Sequence, residues 1–330
     1  MKALLTQLVF TLIFSTSILA APAGPTSLFD HLHKSQMAEV SLSIDLDEII
    51  SMKKSDAYLN ATFGYGDQNW DVRVKTRGRY RRKVCDFPPL KLKFSKKGLT
   101  ADGLGEHNDF KLVTHCSDDW NSREYVAREQ LAYELYSLVS EKSLRTQLVK
   151  ITYIDDVSGR SMTRYGILIE DIDEMAERFG AVELDDAYNL PTATFRDGSL
   201  ERVAMFQYMI GNADYDHTMM RNVKYIQTPD GSNTVVPYDF DFSAIVNAPY
   251  AIPNVEIGQQ RITDRVMRYD FSNDKFMRVA QEFKLKEDSI LQSVADNPYV
   301  SKRTKNEIMD YLGLFFQEID TALQTGTMPR

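Results

Sequence analysis

Between Ile210 and Phe242 the chain gathers oxygen donors of the kind that hold a hard cation against phosphate. Asp214, Asp216 and His217 lie in Ile210-Gly-Asn-Ala-Asp-Tyr-Asp-His217, Asn222 follows, and Asp239 and Asp241 lie in Tyr238-Asp-Phe-Asp-Phe242. Phosphoryl transfer asks little covalent chemistry of a protein. It needs metal ligands, a carboxylate to orient the nucleophile, and a cation on the nucleotide. Asp239 follows the apolar run Val235-Val-Pro-Tyr238, where a strand would hold a carboxylate rigidly. Asn222, at the start of the expected partner strand, is a second candidate ligand, and Asp214, past the end of an apolar helix, is the candidate base. The same oxygens also suit a calcium site, and Asp-rich turns serve elsewhere as caps and Asx turns.

These groups need a scaffold, and the hydrophobic pattern supplies one. Alternation with period two runs from residue 38 to 94 and predicts antiparallel strands, among them 58–63 and 70–75 around a Gly-Asp-Gln-Asn turn. In Leu90-Lys-Leu-Lys-Phe94, Lys91 and Lys93 must share one face of a strand. Another strand is expected over 109–115. A helix follows from Asn121, with Glu124 placed for a capping box, and two further strands over 147–154 and 163–169. The second half reads as helices at 200–210, 262–269, 274–283, 289–295 and 301–325, interrupted by a hairpin (222–227 and 234–237) around Pro229-Asp-Gly231. In the last helix Ile308, Leu312, Phe315, Ile319 and Leu323 form one apolar face. The expected class is therefore α+β. The order is that of a bilobal protein-kinase-like fold, with a strand-rich N-lobe (38–170) carrying one helix and a mainly helical C-lobe (171–330) carrying the catalytic and metal motifs.

The first residues have the form of a leader: Lys2, an apolar run from Leu4 to Leu19, then Ala20, Ala21 and Ala23. A signal peptide over 1–21 and a short linker over 22–37 are expected, and with them a secreted, periplasmic or cell-surface protein. An uncleaved membrane anchor is the competing reading. The run is short for a span, and no later segment is apolar enough to cross a bilayer. At 330 residues with 43% hydrophobic content, the chain is long enough for two joined lobes. Its net charge of -8 argues against nonspecific nucleic-acid binding. A basic block, Arg73, Lys75, Arg77, Arg79, Arg81, Arg82 and Lys83, stands against that background, either as a solvated strand and tip or as a loop that meets phosphate. Cys85 and Cys116, the only two cysteines, flank predicted strands and are expected to pair in an exported chain.

Arg77-Gly-Arg, Pro89-Leu-Lys-Leu-Lys-Phe94, Asp119-Trp-Asn-Ser-Arg-Glu, Tyr165-Gly-Ile-Leu-Ile-Glu-Asp-Ile-Asp173 and Pro237-Tyr-Asp-Phe-Asp241, in this order, resemble the successive motifs of the spore-coat-protein-H (CotH) kinase family. The resemblance covers residues 70–245. It implies a secreted or surface atypical kinase that uses ATP with Mg2+ or Mn2+ and acts on Ser or Thr of exported or surface proteins. Residue by residue, it implies Arg77 and Gly78 in the nucleotide-covering loop and Lys91 or Lys93 on the ATP phosphates. Glu129 would be that lysine's ion-pair partner, with Glu124 and Glu134 as alternatives, and Glu170 would lie by the adenine. Asp214 would be the catalytic aspartate, with Asn222 and Asp239 on the metal. The Gly-Asn-x-Asp run is also similar to the catalytic loops of HipA-type and secretory-pathway kinases.

The chain departs from the ordinary kinase pattern at three points. Gly78 is the single glycine of its loop. Asp214 stands eight residues before Asn222 rather than five, which leaves Asp216 and His217 as rivals for the base. Asp241 occupies a position where kinases carry glycine and is a further candidate metal ligand. A catalytically weak pseudokinase or an adhesin-like binding protein on the same scaffold is the alternative reading.

Overall fold

The computed structural model describes residues 25–34, 36–119 and 121–328. The expected leader and Trp120 lie outside them. Where a linker was expected, a short helix α1 (Leu28–Leu32) opens the described chain, capped by Ser27 and Asp30, and its Leu28, Phe29 and Leu32 are fully buried. Burying three such side chains is worth about 1.5–3 kcal/mol each, enough to hold the segment as part of the barrel core described next.

The strands β1 (Ala38–Ile44), β2 (Leu59–Tyr65) and β3 (Gln68–Thr76) alternate buried and exposed residues as the period-two pattern requires, with α2 (Leu46–Ser51) between the first two. After β3 come α3 (Arg81–Val84), β4 (Leu90–Phe94), α4 (Lys96–Ala101), β5 (Asp109–Val113) and the long α5 (Ser122–Val139). Then β6 (Thr146–Asp155) and β7 (Ser161–Ile169) form a hairpin. The strand order β1-β2-β3-β4-β5-β7-β6 closes on itself, because β1 also pairs in parallel with β6 from Ala38↔Val149 to Ile44↔Asp155.

This overturns the expected bilobal protein-kinase-like fold with a strand-rich N-lobe carrying one helix. The sheet is a closed seven-stranded mixed barrel, and four helices, α2 to α5, stand among residues 38–170. Alternation identifies strands but says nothing of which two edges meet, and here closure leaves neither edge strand unpaired. Gly166 on β7 shows how tightly the wall packs: a Cβ there would lie 3.0 Å from Leu112 Cδ1 and 3.1 Å from the Val113 carbonyl.

The second half begins with α6 (Ile172–Arg178) and a short β8 (Val182–Glu183), then α7 (Ser199–Ile210) and the hairpin β9 (Val223–Gln227) with β10 (Asn233–Pro237). Strands β10-β9-β8 make a small separate sheet. Helices α8 (Asn273–Lys284), α9 (Glu287–Asp296) and α10 (Lys302–Thr325) follow. A second apolar core packs α5, α7, α8, α10 and the hairpin together around Phe206, Phe240 and Phe315. Among the described residues no helix is long and apolar enough to cross a membrane.

Two local expectations fail for identifiable reasons. No capping box forms at α5; Asn121 makes no side-chain cap, and the Glu124 carboxylate instead accepts from Ser301 Oγ at 2.8 Å. The helix expected over 262–269 is irregular backbone: Gln259 donates to the Asp264 carbonyl within the segment, and Arg265 and Arg268 donate to main-chain carbonyls elsewhere in the fold.

Cys85 and Cys116 form a disulfide with Cα atoms 4.6 Å apart, and the Asp86 and Phe87 amides donate to the Cys116 carbonyl. The segment after β3 is thereby tied to the connection between β5 and α5. Next to it His115 is buried against the Phe87 ring, 4.7 Å away. Burial, reinforced by the Arg164 charge, lowers its pKa from 6.5 to about 4. The folded protein therefore keeps His115 neutral where the unfolded chain binds a proton, and its contribution is complete above about pH 6.5 and lost as the pH falls towards 4. The His115→Phe variant is expected to gain about 3 kcal/mol relative to wild type between pH 7 and pH 4. Urea unfolding of both proteins across that range measures the gap, and a gap independent of pH would refute the assignment.

Candidate active site

Helix α7 ends at Gly211, whose φ of 66° places it in the left-handed region; a Cβ there would meet the Tyr311 hydroxyl and lie 2.6 Å from Ala244 Cβ. The chain then turns through Asn212, whose side chain accepts the Asp214 amide at 3.0 Å, and reaches Asn222 at the foot of the hairpin. Pairing of Val223 with Pro237 brings Asn222 beside Tyr238, whose amide donates to the Asn222 carbonyl at 3.1 Å. The two halves of the motif, separated in sequence by the hairpin, are therefore neighbours. Asn222 and Asp239 both adopt positive φ (53° and 65°), an uncommon conformation for residues other than glycine that concentrates at functional sites. The Asp239 amide is fixed by donation to the Tyr133 hydroxyl, 2.9 Å, from α5.

These residues line a cleft of roughly 620 Å³. Its floor includes Asp214, Asn222, Asp239 and Asp241, and its roof is the segment Arg77 to Arg81. Asn222 Nδ2 donates to the Asp214 carbonyl (2.5 Å) and to its carboxylate (3.0 Å). Burial holds the Asp214 carboxyl above the usual carboxylate range; Asp239 adds to this, while Arg221, 3.8 Å away, opposes it. Asp241 is buried, accepts from the Tyr250 hydroxyl at 3.0 Å, and is pushed up to about 7 by burial and by Asp239.

The three candidates for the base lie in different surroundings. Asp216 accepts from the Thr218 amide (2.9 Å), the Thr218 hydroxyl (2.7 Å), the Met219 amide (3.1 Å) and Arg268 (3.2 Å). These bonds outweigh its burial and hold its pKa down. His217 packs edge-on to Tyr269 and does not line the cleft. Asp214 is the member of the three that faces the cavity.

The expected lysine–glutamate pair is not made. Lys91 pairs with Asp109 at 2.8 Å, and Lys93 lies on the barrel's outer wall in a depression with Asp71 and Arg73. Both point away from the barrel interior, as their strand face dictates. Glu129 faces Arg81 instead, at 3.9 Å. Both are buried, and Arg81 also donates to the Thr114 carbonyl and stands over the Tyr250 ring at 5.4 Å. Burial, with Asp241 adding to it, pushes the Glu129 carboxyl well up. Glu170 is fully enclosed by Arg145 (2.8 Å) and Arg178 (2.8 Å), so its side chain is committed to the junction below the barrel.

Arg81 was legible only as one cation of a basic block. That block divides in space: Arg73 and Lys75 lie over the Tyr58 ring, Arg82 binds the Lys53 and Ser55 carbonyls, and Arg77 and Arg79 turn into the cleft. Lys111 on β5 was missed altogether. Its ammonium lies 4.7 Å from the Tyr238 ring, and burial together with Arg77 and Lys224 lowers its pKa to about 8. A lone lysine between Phe110 and Leu112 in a short strand was the available signal.

Among the described residues no group of three or more His, Cys, Asp or Glu side chains is arranged to hold a metal ion by itself. The Asp239 carboxylate nevertheless makes no hydrogen bond or ion pair among the described residues, and neither does the Asn222 side-chain oxygen. A half-buried carboxylate beside three other acidic groups, with its own oxygens free, fits a cation whose remaining ligands come from a phosphate, the usual arrangement for Mg2+.

Fold and site together define an α+β protein in which a closed barrel and a helical half enclose an acidic cleft roofed by arginines. No family model and no curated protein matches the sequence. The fold is similar to that of the Helicobacter pylori proinflammatory kinase CtkA, with a TM-score of 0.45 and 11% identity over 72% of this chain and 94% of that one. It is also similar to the Shewanella oneidensis MR-1 toxin antitoxin system HipA, HipB and its operator DNA complex, with a TM-score of 0.39 and 11% identity over 88% of this chain and 76% of that one. Likenesses of this size decide neither fold nor function.

Proposed function

We propose that the chain is an ATP-dependent phosphotransferase acting on Ser or Thr hydroxyls of exported or surface proteins, in the manner of the CotH kinases it resembles. The observation that carries this reading is the free Asp239 carboxylate beside Asn222 and Asp214, facing Arg77 and Arg79 across the cleft. Asp239 and the Asn222 oxygen would hold Mg2+ or Mn2+, with Asp241 behind them. The bound ion supplies neutralisation of phosphate charge. Arg77 and Arg79 meet the phosphate oxygens from above with planar, bidentate donors, and Lys111 adds a cation beside Tyr238. Asp214, held by Asn222, orients the acceptor hydroxyl and takes its proton. The disulfide and the form of the leader support an exported protein.

The pseudokinase reading draws on a separate observation, that Glu129 is paired with Arg81 and, among the described residues, with no lysine. Transfer of label from γ-labelled ATP, with Mg2+ or Mn2+, separates the two. Asp214→Asn is expected to reduce transfer by about 10²–10⁴-fold, the usual worth of a positioned base. Equal labelling of wild type and variant would remove the kinase reading.

A further inference from the structure

The irregular segment 259–272 includes residues 262–269, where the sequence pattern calls for a helix, and departures of that kind concentrate at functional positions. Its backbone is held in place from several sides. Gln259, almost fully buried, donates to the Asp264 carbonyl; Arg265 lies 3.8 Å from the Tyr311 ring and donates to the Tyr311 carbonyl; and the Tyr311 hydroxyl donates back to the Thr263 carbonyl. From this anchored base Arg268 reaches the loop that carries Asp214. One of its amino groups donates to the Ala213 carbonyl (3.0 Å) and to the Tyr215 carbonyl, and the other to the Asp216 carboxylate (3.2 Å). The guanidinium thus grips the main chain on both sides of Asp214 without touching its side chain.

We infer that Arg268 is the positioning residue for Asp214, acting through the backbone of 213–216, and that Asp216 serves in the same brace. This rests on the phosphotransferase reading above. The brace has a chemical requirement: two carbonyls and a carboxylate need a planar fork of donors, which arginine supplies and an ammonium does not. Asp216 is itself set by Thr218 and by the mutual backbone pairing of Asp216 with Arg221, so removing Arg268 frees one side of the loop and leaves the other folded. A misplacement of about 1 Å at a reacting group costs about a hundredfold in rate.

The test compares wild type, Arg268→Lys and Arg268→Ala, with Arg303→Lys on the solvent face of α10 as the control. Arg268→Lys and Arg268→Ala are expected to lower kcat by about a hundredfold while KM for ATP stays within about twofold, since Asp239 and Asn222 are not held by Arg268. Added guanidinium at low millimolar concentration is expected to restore part of the rate of Arg268→Ala and none of that of Arg268→Lys. Hydrogen exchange at the Asp214 amide, which donates to the Asn212 side chain on the freed side of the loop, is expected to speed up in both variants, while the mutually paired Asp216 and Arg221 amides keep their protection. Unchanged kcat, or a fall matched by an equal rise in KM, overturns the inference, as does unchanged exchange. Faster exchange in variants of a wild type that transfers no phosphate would leave the brace standing and remove the phosphotransferase reading instead.

Discussion

Asp239→Asn is expected to raise the unfolding temperature of the ligand-free protein and to abolish its response to nucleotide with Mg2+ or Mn2+. The two effects have opposite signs because they have one cause. Asp239 adds negative charge beside Asp214, Asp241 and Glu129 and pushes the carboxyl of each upward, so neutralising it relieves repulsion within a partly desolvated cluster. The same charge is what a cation would bind. Changes to groups that merely orient a metal's ligands cost about 10–100-fold in affinity, and loss of a direct carboxylate should exceed that. A ligand present at about 100 times its Kd stabilises the folded state by about 2.7 kcal/mol, a shift that thermal unfolding resolves easily in wild type and that should vanish in the variant. A ligand-free Asp239→Asn that is less stable than wild type, or one that keeps the metal-dependent nucleotide shift, would show that Asp239 is a structural residue.

Arg81→Met is expected to be among the most destabilising single changes in the chain. Arg81 is the cation buried against Glu129 and close to Asp241, and it donates to the Thr114 carbonyl. Removing one partner of a buried ion pair costs about 3–5 kcal/mol, because the remaining charge has neither water nor a counter-ion. The penalty should depend on pH in a definite direction. Glu129 and Asp241 already have raised pKa values with Arg81 present, Asp241 to about 7, and without it both move higher. Below about pH 5 they are protonated in the variant and need no cation, so the cost should shrink there and be full at pH 8. Adding Glu129→Gln should restore much of the loss, as expected for directly coupled sites. Urea midpoints at pH 5 and pH 8 for the wild type, Arg81→Met and the double variant check this. An equal penalty at both pH values, or no recovery in the double variant, would refute the coupling.

What could be read from the sequence was local. Leu90-Lys-Leu-Lys-Phe94 alternates and is a strand with both lysines on one face, as alternation demands. The helix over 301–325 keeps its apolar stripe and forms, capped by Ser301. The hairpin around Pro229-Asp-Gly231 forms as well, and with it the approach of Asn222 to Asp239. The face on which Lys91 and Lys93 lie was equally legible, but not where that face points. It turns to the barrel exterior, and the partner of Glu129 comes instead from the short helix after β3, brought in by the disulfide. Likewise the residues around 262–269 have helical spacing, yet Arg265 and Arg268 gain more by donating to carbonyls of α10 and of the Asp214 loop than a short isolated helix could return.

By itself, then, the sequence determined the strands of the barrel, the five longest helices and the hairpin that joins the two acidic motifs, because each depends on side-chain periodicity and turn chemistry within a few residues. Only the tertiary structure decided that the sheet closes through parallel pairing of β1 with β6, that Arg81 and not a lysine meets Glu129, that Glu170 is consumed by two arginines, and that Asp214 rather than Asp216 faces the cleft. Those outcomes are choices among partners of similar chemistry far apart in the chain. They depend on which surfaces pack together and which charges lose their water, and no local pattern carries that information.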